Sequence, residues 1–109
     1  MNIETFKSYA NHAILLENSS FEGYVLNYCH DNNLEEIDRI GDDEVIKNYE
    51  GENWNTGIIY KLSTDNYVGV VENDQSVYVE FSQDIADIQM WLTETIYALN
   101  DFYQIAEII

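Results

Sequence analysis

The hydrophobic pattern between residues 57 and 82 commits this chain to a fold built around a β-sheet. Three runs follow a period of two and are rich in β-branched and aromatic side chains: GIIYKLS, YVGVVE and SVYVEFS. That period and composition are typical of strands, and the polar segments TDN and NDQ between the runs are typical of tight turns. The pattern therefore predicts a three-stranded antiparallel β-meander.

A long helix is predicted after the meander. Ser82 and Asp84 mark its start, and the chain contains no proline that would force a break. We expect the helix to pack on the sheet face that carries Val77, Val79 and Phe81. Its apolar stripe recurs every three or four residues and consists of Ile85, Ile88, Trp91, Leu92, Thr95, Ile96, Leu99, Phe102, Tyr103 and Ala106.

The N-terminal segment predicts two further helices. The later of the two should run from Ser20 to about His30, because Ser19 and Glu22 have the spacing of a capping box. An extended conformation of FEGYVLNY is the alternative, since Gly23 disfavours a helix. The first helix is predicted by apolar residues that share one face, namely Ile3, Phe6, Ala10, Ala13 and Leu16.

The connection to the meander predicts a turn and a little more helix. Residues 31–33, Asp-Asn-Asn, are typical of a turn. Residues 34–40 predict one or two helical turns anchored by Leu34, Ile37 and Ile40. The chain is thus predicted to be a single α+β domain over residues 1–109, with N-terminal helices, a three-stranded antiparallel β-meander and a long C-terminal helix packed on the sheet.

Net charge is the second constraint. Twenty-one Asp and Glu residues against four Lys and Arg give a formal net charge of −17 at pH 7. A small domain is soluble with a net charge of magnitude about 2–8, so solubility does not account for the excess. A surface with this charge repels nucleic acid and anionic membranes and attracts basic proteins. A halophile-type surface or compositional drift is the alternative explanation.

The acidic residues are clustered. Residues 31–52 contain nine acids and two bases, the largest excess along the chain, and Asp87, Glu94 and Asp101 form a second strip at intervals of seven residues. Trp54, in the polar segment GENWNTG, is either an exposed interface anchor or a loop side chain folded over the sheet. The predicted partner-binding residues are Asp31, Glu35, Glu36, Asp38, Asp42, Asp43, Glu44, Glu50, Glu52 and Trp54.

No residue pattern predicts catalysis or a cofactor. Cys29 and His30 are neighbours in the chain, so their side chains diverge, and His12 has no ligand partner at motif spacing. A zinc site needs three or four Cys and His residues at motif spacing, and this pattern is missing. Calcium-loop and glycine-rich phosphate-loop patterns are missing as well. We expect a protein that is not an enzyme and holds no metal or cofactor.

The sequence also predicts a cytoplasmic location. The first 16 residues lack the basic and apolar regions of a signal peptide, and no apolar run approaches the roughly 20 residues that span a bilayer. The single cysteine, Cys29, rules out an internal disulfide, which fits a reducing compartment.

In size, net charge and lack of catalytic residues, the chain resembles small acidic phage-type proteins that mimic DNA. Anti-restriction proteins, uracil-DNA glycosylase inhibitors and several anti-CRISPR proteins belong to this class, and the order helix, meander, helix is similar to one anti-CRISPR group. The resemblance covers composition and topology, and no motif residue is carried over from it.

The resemblance implies an inhibitor that occupies the DNA-binding channel of a nuclease, either a CRISPR effector nuclease or a restriction enzyme. Rows of carboxylates on rigid elements would replace the phosphates that the channel binds. The partner would be a basic nucleic-acid-binding protein, while the inhibitor, a monomer or homodimer, would bind neither nucleic acid nor membrane itself. An immunity protein or antitoxin that neutralises a basic toxin is the main alternative, and an acidic adaptor domain is another.

Overall fold

The structure is a computed structural model that describes the backbone of residues 2–17, 20–40, 45–48, 51–54, 56–73 and 76–108, and the side chains of residues 2–16, 20–40, 56–73 and 76–99. The α+β class predicted from the sequence is confirmed. In chain order, the described elements are α1 (Ile3–Glu17), α2 (Phe21–Asp31), β1 (Glu35–Ile40), β2 (Val45–Asn48), β3 (Gly51–Trp54), β4 (Thr56–Ser63), β5 (Asn66–Glu72), β6 (Val77–Ser82) and α3 (Ile85–Ile108).

The central sheet has four antiparallel strands in the order β1-β4-β5-β6. Strands β4, β5 and β6 are the predicted meander, so that prediction is confirmed. Asp65, with a φ of 58°, turns the chain between β4 and β5. Asn73 closes the next turn, because its side-chain oxygen Oδ1 accepts a hydrogen bond from the Ser76 N–H at 2.8 Å. Strands β2 and β3 pair with each other in a separate two-stranded sheet.

Strand β1 is the fourth strand, and it occupies the segment that was predicted to be helical. That prediction was wrong. The register between β1 and β4 shifts between Glu36 and Asp38, which makes Ile37 the extra residue of a β-bulge. The bulge lets Ile37 and Ile40 pack on the same core although they are three residues apart. Because of the bulge, the spacing of three residues between Ile37 and Ile40 in a strand therefore resembles the period of a helix.

Helix α2 forms as predicted, and the extended alternative for FEGYVLNY was wrong. Its N-cap is Ser20, whose hydroxyl accepts a hydrogen bond from the Gly23 N–H at 3.2 Å. The predicted capping pair, Ser19 and Glu22, would have placed the cap one residue earlier. After the helix, Asn33 has a φ of 51°, a left-handed conformation that asparagine tolerates, and the predicted turn is confirmed.

Each face of the central sheet is covered, and each has its own hydrophobic core. Successive residues of a strand point to opposite faces, so Ile58 and Ile59 of β4 belong to different cores. Helix α3 covers one face, where the buried residues are Ile59, Val71, Ile88, Leu92 and Ile96. Helices α1 and α2 cover the other, where the buried residues are Phe6, Ala10, Val25, Cys29, Ile58, Tyr60, Val68 and Val70.

The face assigned to strand β6 from the sequence was wrong. Val77, Val79 and Phe81 pack against the core under α1 and α2, and not under α3. The strand register explains this, because Val79 lies directly across from Val70, which belongs to that core. The meander was correctly recognised, but its pattern does not say which helix covers which face.

The apolar face of α1 was predicted correctly at the start of the helix only. Ile3, Phe6 and Ala10 are buried. Leu16, predicted on the same face, is 74% exposed, and its neighbour Leu15 is 84% exposed. The buried contacts of α1 therefore end before its last turn.

Helix α3 begins at the predicted place. The Ser82 hydroxyl accepts a hydrogen bond from the Asp84 N–H at 3.0 Å, and the Asp84 carboxylate accepts one from the Ala86 N–H at 2.9 Å. The predicted apolar stripe packs on the sheet as far as Leu99. Outside the described side chains lie the later members of the stripe, Phe102, Tyr103 and Ala106.

Two glycines let α3 lie close to the sheet. A Cβ atom on Gly57 of β4 would lie 2.8 Å from Leu92 Cδ1, and one on Gly69 of β5 would lie 2.7 Å from Trp91 Cζ3. Real Cβ atoms do not approach other atoms this closely, and Leu92 is fully buried, so it has little room to move. The two glycines therefore set the distance between helix and sheet.

We predict that Gly69→Ala lowers the free energy of unfolding by about 1–3 kcal/mol, because the added methyl group overlaps the Trp91 ring. Alanine is otherwise the better residue in a strand. In a Trp91→Leu background the overlap with the indole ring is removed and only the tight contact with Ile88 Cγ1 at 3.1 Å remains, so the same change should cost less. Urea unfolding of the wild type, both single variants and the double variant measures the coupling between the two positions. Equal costs in the two backgrounds would show that the contact does not limit the packing of α3.

Candidate functional site

Strand register determines which acidic side chains lie on the same side of the molecule as α3. Asp38 of β1 lies across from Ile59, a residue of the core under α3, so Asp38 points to that face. Glu35 of β1 and Glu80 of β6 point to the same face, because successive residues of a strand alternate between the two faces of the sheet. The outward face of α3 adds two exposed acids. We call this surface the α3 side and define it by Glu35, Asp38, Glu80, Asp87 and Glu94.

Two of these carboxylates are fixed by hydrogen bonds. Asp38 Oδ2 accepts one from Gln89 Nε2 of α3 at 3.3 Å, and Asp38 Oδ1 accepts one from the Arg39 N–H at 2.8 Å. On the opposite edge of the sheet, Glu80 Oε1 accepts one from the Phe81 N–H at 3.0 Å. Asp38 thus joins the edge strand β1 to α3, and its charge lies beside the helix.

Among the described side chains, no cation forms an ion pair with the carboxylates of the α3 side. Among the described side chains the structure gives one ion pair, in which Arg39 Nη2 lies 2.7 Å from Glu36 Oε1. Glu36 lies across from Tyr60 and so belongs to the other face of the sheet. Lys61 lies across from Glu35, yet the two form no ion pair. Within the described set, the five carboxylates of the α3 side therefore have no cationic partner.

The structure brings part of the predicted partner-binding set together. Glu35, Glu36 and Asp38 share the edge strand β1, and Asp31 is exposed at the end of α2, just before that strand. The ion pair with Arg39 makes Glu36 a weaker candidate than its neighbours. Outside the described residues lie Asp42, Asp43, Glu44 and Glu50.

Trp54 lies in strand β3 and not in a loop. Strand β3 pairs with β2, and Trp54 lies across from Val45. For Trp54 and Glu52 only the backbone belongs to the described part of the chain. Both predicted roles of Trp54, exposed anchor and side chain folded over the sheet, stay predictions.

Three exposed residues on the same side of the molecule as α3 were not predicted from the sequence. Met90 and Tyr97 are 60% and 62% exposed on α3, and Glu80 is exposed on β6. A signal for the first two exists, because they fall outside the apolar stripe and share the outward face with Asp87 and Glu94. Placing Glu80 requires knowing which face of the sheet α3 covers, and that assignment was wrong.

Cys29 is buried in the core under α1 and α2, with 1% of its surface exposed. Burial raises the pKa of its thiol to about 12, so little of the reactive thiolate exists at neutral pH. Burial is also the main cause of the raised pKa of Tyr60. His12 and His30 are exposed. Among the described residues, no three His, Cys, Asp or Glu side chains are grouped so that they could hold a metal ion.

Comparison with known proteins gives no relative: no family model, no curated protein and no solved structure matches the chain. In the part of the chain that the structure describes, no helix has both the length and the apolar character needed to cross a membrane. Function must therefore be inferred from the residues of this chain.

We predict that burial of Cys29 makes stability fall with rising pH. An unfolded cysteine has a pKa of roughly 8.5 and ionises first, while the folded thiol stays protonated up to about pH 12. The unfolded state then binds fewer protons, so stability decreases through this window, by about 1 kcal/mol between pH 8 and pH 9.5. Urea unfolding under reducing conditions measures the slope. Cys29→Ala should be less stable overall but should show a shallower slope, and equal slopes would contradict the prediction.

We predict that added salt raises the melting temperature at neutral pH. Unpaired carboxylates repel one another, and the Debye length shrinks from about 30 Å at 0.01 M to about 8 Å at 0.15 M ionic strength. Calorimetry at these two NaCl concentrations measures the effect. A variant with Glu35→Gln, Asp87→Asn and Glu94→Gln serves as the comparison and should respond less. A melting temperature that does not rise with salt would show that the acids do not destabilise the fold.

Proposed function

We propose that the protein is a nucleic-acid mimic that inhibits a nuclease or another DNA-processing protein by occupying its DNA-binding channel. The observation that supports this most directly is the α3 side, where carboxylates on rigid elements have no cationic partner among the described side chains. A channel built for phosphates offers the Lys and Arg side chains that these carboxylates would bind. The protein would act in the cytoplasm, as a monomer or homodimer.

Two elements would present the charges. Asp87 and Glu94 lie seven residues apart on α3, about 10 Å along the helix. Glu35 and Asp38 follow the neighbouring edge strand, and the hydrogen bond between Asp38 and Gln89 holds strand and helix together. The carboxylates would thus form two rows, as the phosphates of a duplex do, and binding would release the counterions that the partner's channel holds in the absence of DNA.

Rigidity favours the same proposal. The close contact of α3 with Gly57 and Gly69 fixes the helix on the sheet, so its charges would be ordered before binding. An inhibitor whose charges are already in place loses less conformational entropy on association than a flexible acidic tail. The folded domain would therefore compete with DNA more effectively than an acidic peptide of the same net charge.

The resemblance to DNA-mimicking inhibitors suggests the target class, in the first place a CRISPR effector nuclease or a restriction enzyme. Nucleic acid and anionic membranes are poor partners for a chain with a net charge of −17. An immunity protein for a basic toxin would use the same electrostatic attraction. The two functions differ in what is covered, a DNA-binding channel or the active site of a toxin.

We predict that neutralising the α3 side weakens binding mainly through slower association. The test variant carries Glu35→Gln, Asp87→Asn and Glu94→Gln, and surface plasmon resonance measures its binding to purified, guide-loaded CRISPR effector nucleases and to restriction enzymes. Its association rate should fall by about tenfold or more at low salt, and its salt dependence should be shallower than that of the wild type. Circular dichroism checks that the fold is intact.

A matched control variant distinguishes the effect of where the charges lie from the effect of the total net charge. Glu4→Gln, Glu22→Gln and Asp65→Asn remove the same charge from exposed positions outside the α3 side, so this variant should bind almost as the wild type does. Equal losses for both variants would show that total charge, and not the α3 side, attracts the partner. A stable complex of partner, DNA and inhibitor with unchanged DNA affinity would exclude mimicry and favour the immunity-protein alternative.

A further inference from the structure

The outward face of α3 alternates acidic and large apolar residues. Asp87, Met90, Glu94 and Tyr97 follow one another at intervals of three and four residues, so they line one side of the helix. Met90 is 60% exposed and Tyr97 is 62% exposed, and both carboxylates are exposed too. The face lies opposite the buried stripe that includes Leu92. Met90 thus lies between the carboxylates of Asp87 and Glu94, and Tyr97 lies one turn beyond Glu94.

Among the described residues, neither side chain belongs to the core between α3 and the central sheet. Ile88, Leu92 and Ile96 are the buried residues that α3 contributes to that core. Scattered exposed apolar residues are common, but here two lie in register with two acids on a helix that is fixed by its glycine contacts. Apolar groups with a polar rim are typical of the centre of a protein interface.

Charge decides what can cover this face. A second copy would place the same patch opposite itself and bring Asp87 and Glu94 of both chains together, which costs free energy. Nucleic acid and anionic lipid are repelled for the same reason. A basic protein is attracted by the carboxylates and can also offer apolar pockets for Met90 and Tyr97.

We infer that Met90 and Tyr97 are the apolar anchors of the interface with the basic partner. This inference rests on the proposed function, and it adds that the partner's basic channel contains apolar or aromatic pockets flanked by Lys or Arg. Carboxylates would govern the rate of encounter, while the two anchors would govern how long the complex lasts. Tyrosine suits this role because it buries a large area and has few rotatable bonds to immobilise.

The test compares two double variants in the full-length chain. Met90→Ala with Tyr97→Ala removes the anchors, and Leu15→Ala with Leu16→Ala removes two apolar side chains that are even more exposed, from α1 on the opposite side of the sheet. Surface plasmon resonance with the nucleases named above measures association and dissociation separately. The anchor variant should dissociate at least about tenfold faster with an unchanged association rate and salt dependence, and the α1 variant should match the wild type.

Four other results would overturn the inference, each for a different reason. Wild-type dissociation of the anchor variant would reject the anchors and leave the proposed function standing. Equally fast dissociation of both variants would show that apolar contacts are not localised on α3. A shift from dimer to monomer of the anchor variant in sedimentation would identify a second copy as the occupant. If no nuclease binds the wild-type chain, the proposed function fails, and the anchors fail with it.

Discussion

The contact between α3 and the sheet at Gly57 and Gly69 is the constraint on which the rest of the structure depends. Both positions lack a side chain, and the side chains of Leu92 and Trp91 occupy the space. This close approach buries Ile59 and Val71 on a face that would otherwise be exposed. It also fixes the outward side of the helix, since a helix seated along one stripe cannot rotate without losing that stripe. The position of the acidic residues on α3 thus depends on Gly57 and Gly69, which leave room for the helix to approach the sheet.

A domain with this excess of acid needs stabilisation that does not depend on charge. The sheet supplies it by having a separate apolar core on each face, and α1 and α2 cover the second one. The acids of the α3 side then lie on the edge strands and on the outer side of the helix, where water solvates them. Self-repulsion lowers stability but does not compete with packing, so the chain tolerates carboxylates that pair with no cation within the described residues. In the proposed complex, the partner supplies the missing positive charge.

Sequence reasoning was reliable where a pattern is local. The meander, both N-terminal helices and the start of α3 at Ser82 and Asp84 follow from period, turn residues and caps. It failed at β1, because a bulge at Ile37 gave a strand the spacing of a helix. It also failed for the face of Val79, since alternation defines two faces without saying which helix covers each. For the same reason Glu80 was not predicted as a partner-binding residue. The acids of β1 were predicted, because the clustering of charge along the chain is sufficient to identify them.

Two hydrogen bonds on the rim of the sheet have a consequence for assembly. Asp38 and Glu80 each accept the backbone N–H of the next residue, Arg39 and Phe81, on the two outermost strands. Such donors are where an additional strand would dock, and here they are already occupied by a charged group. At these two positions the edge strands therefore have no free N–H group to offer to a strand of another molecule. A partner that added a strand at either edge would have to displace the Asp38 or Glu80 carboxylate at that position, whereas a partner that binds side chains would not.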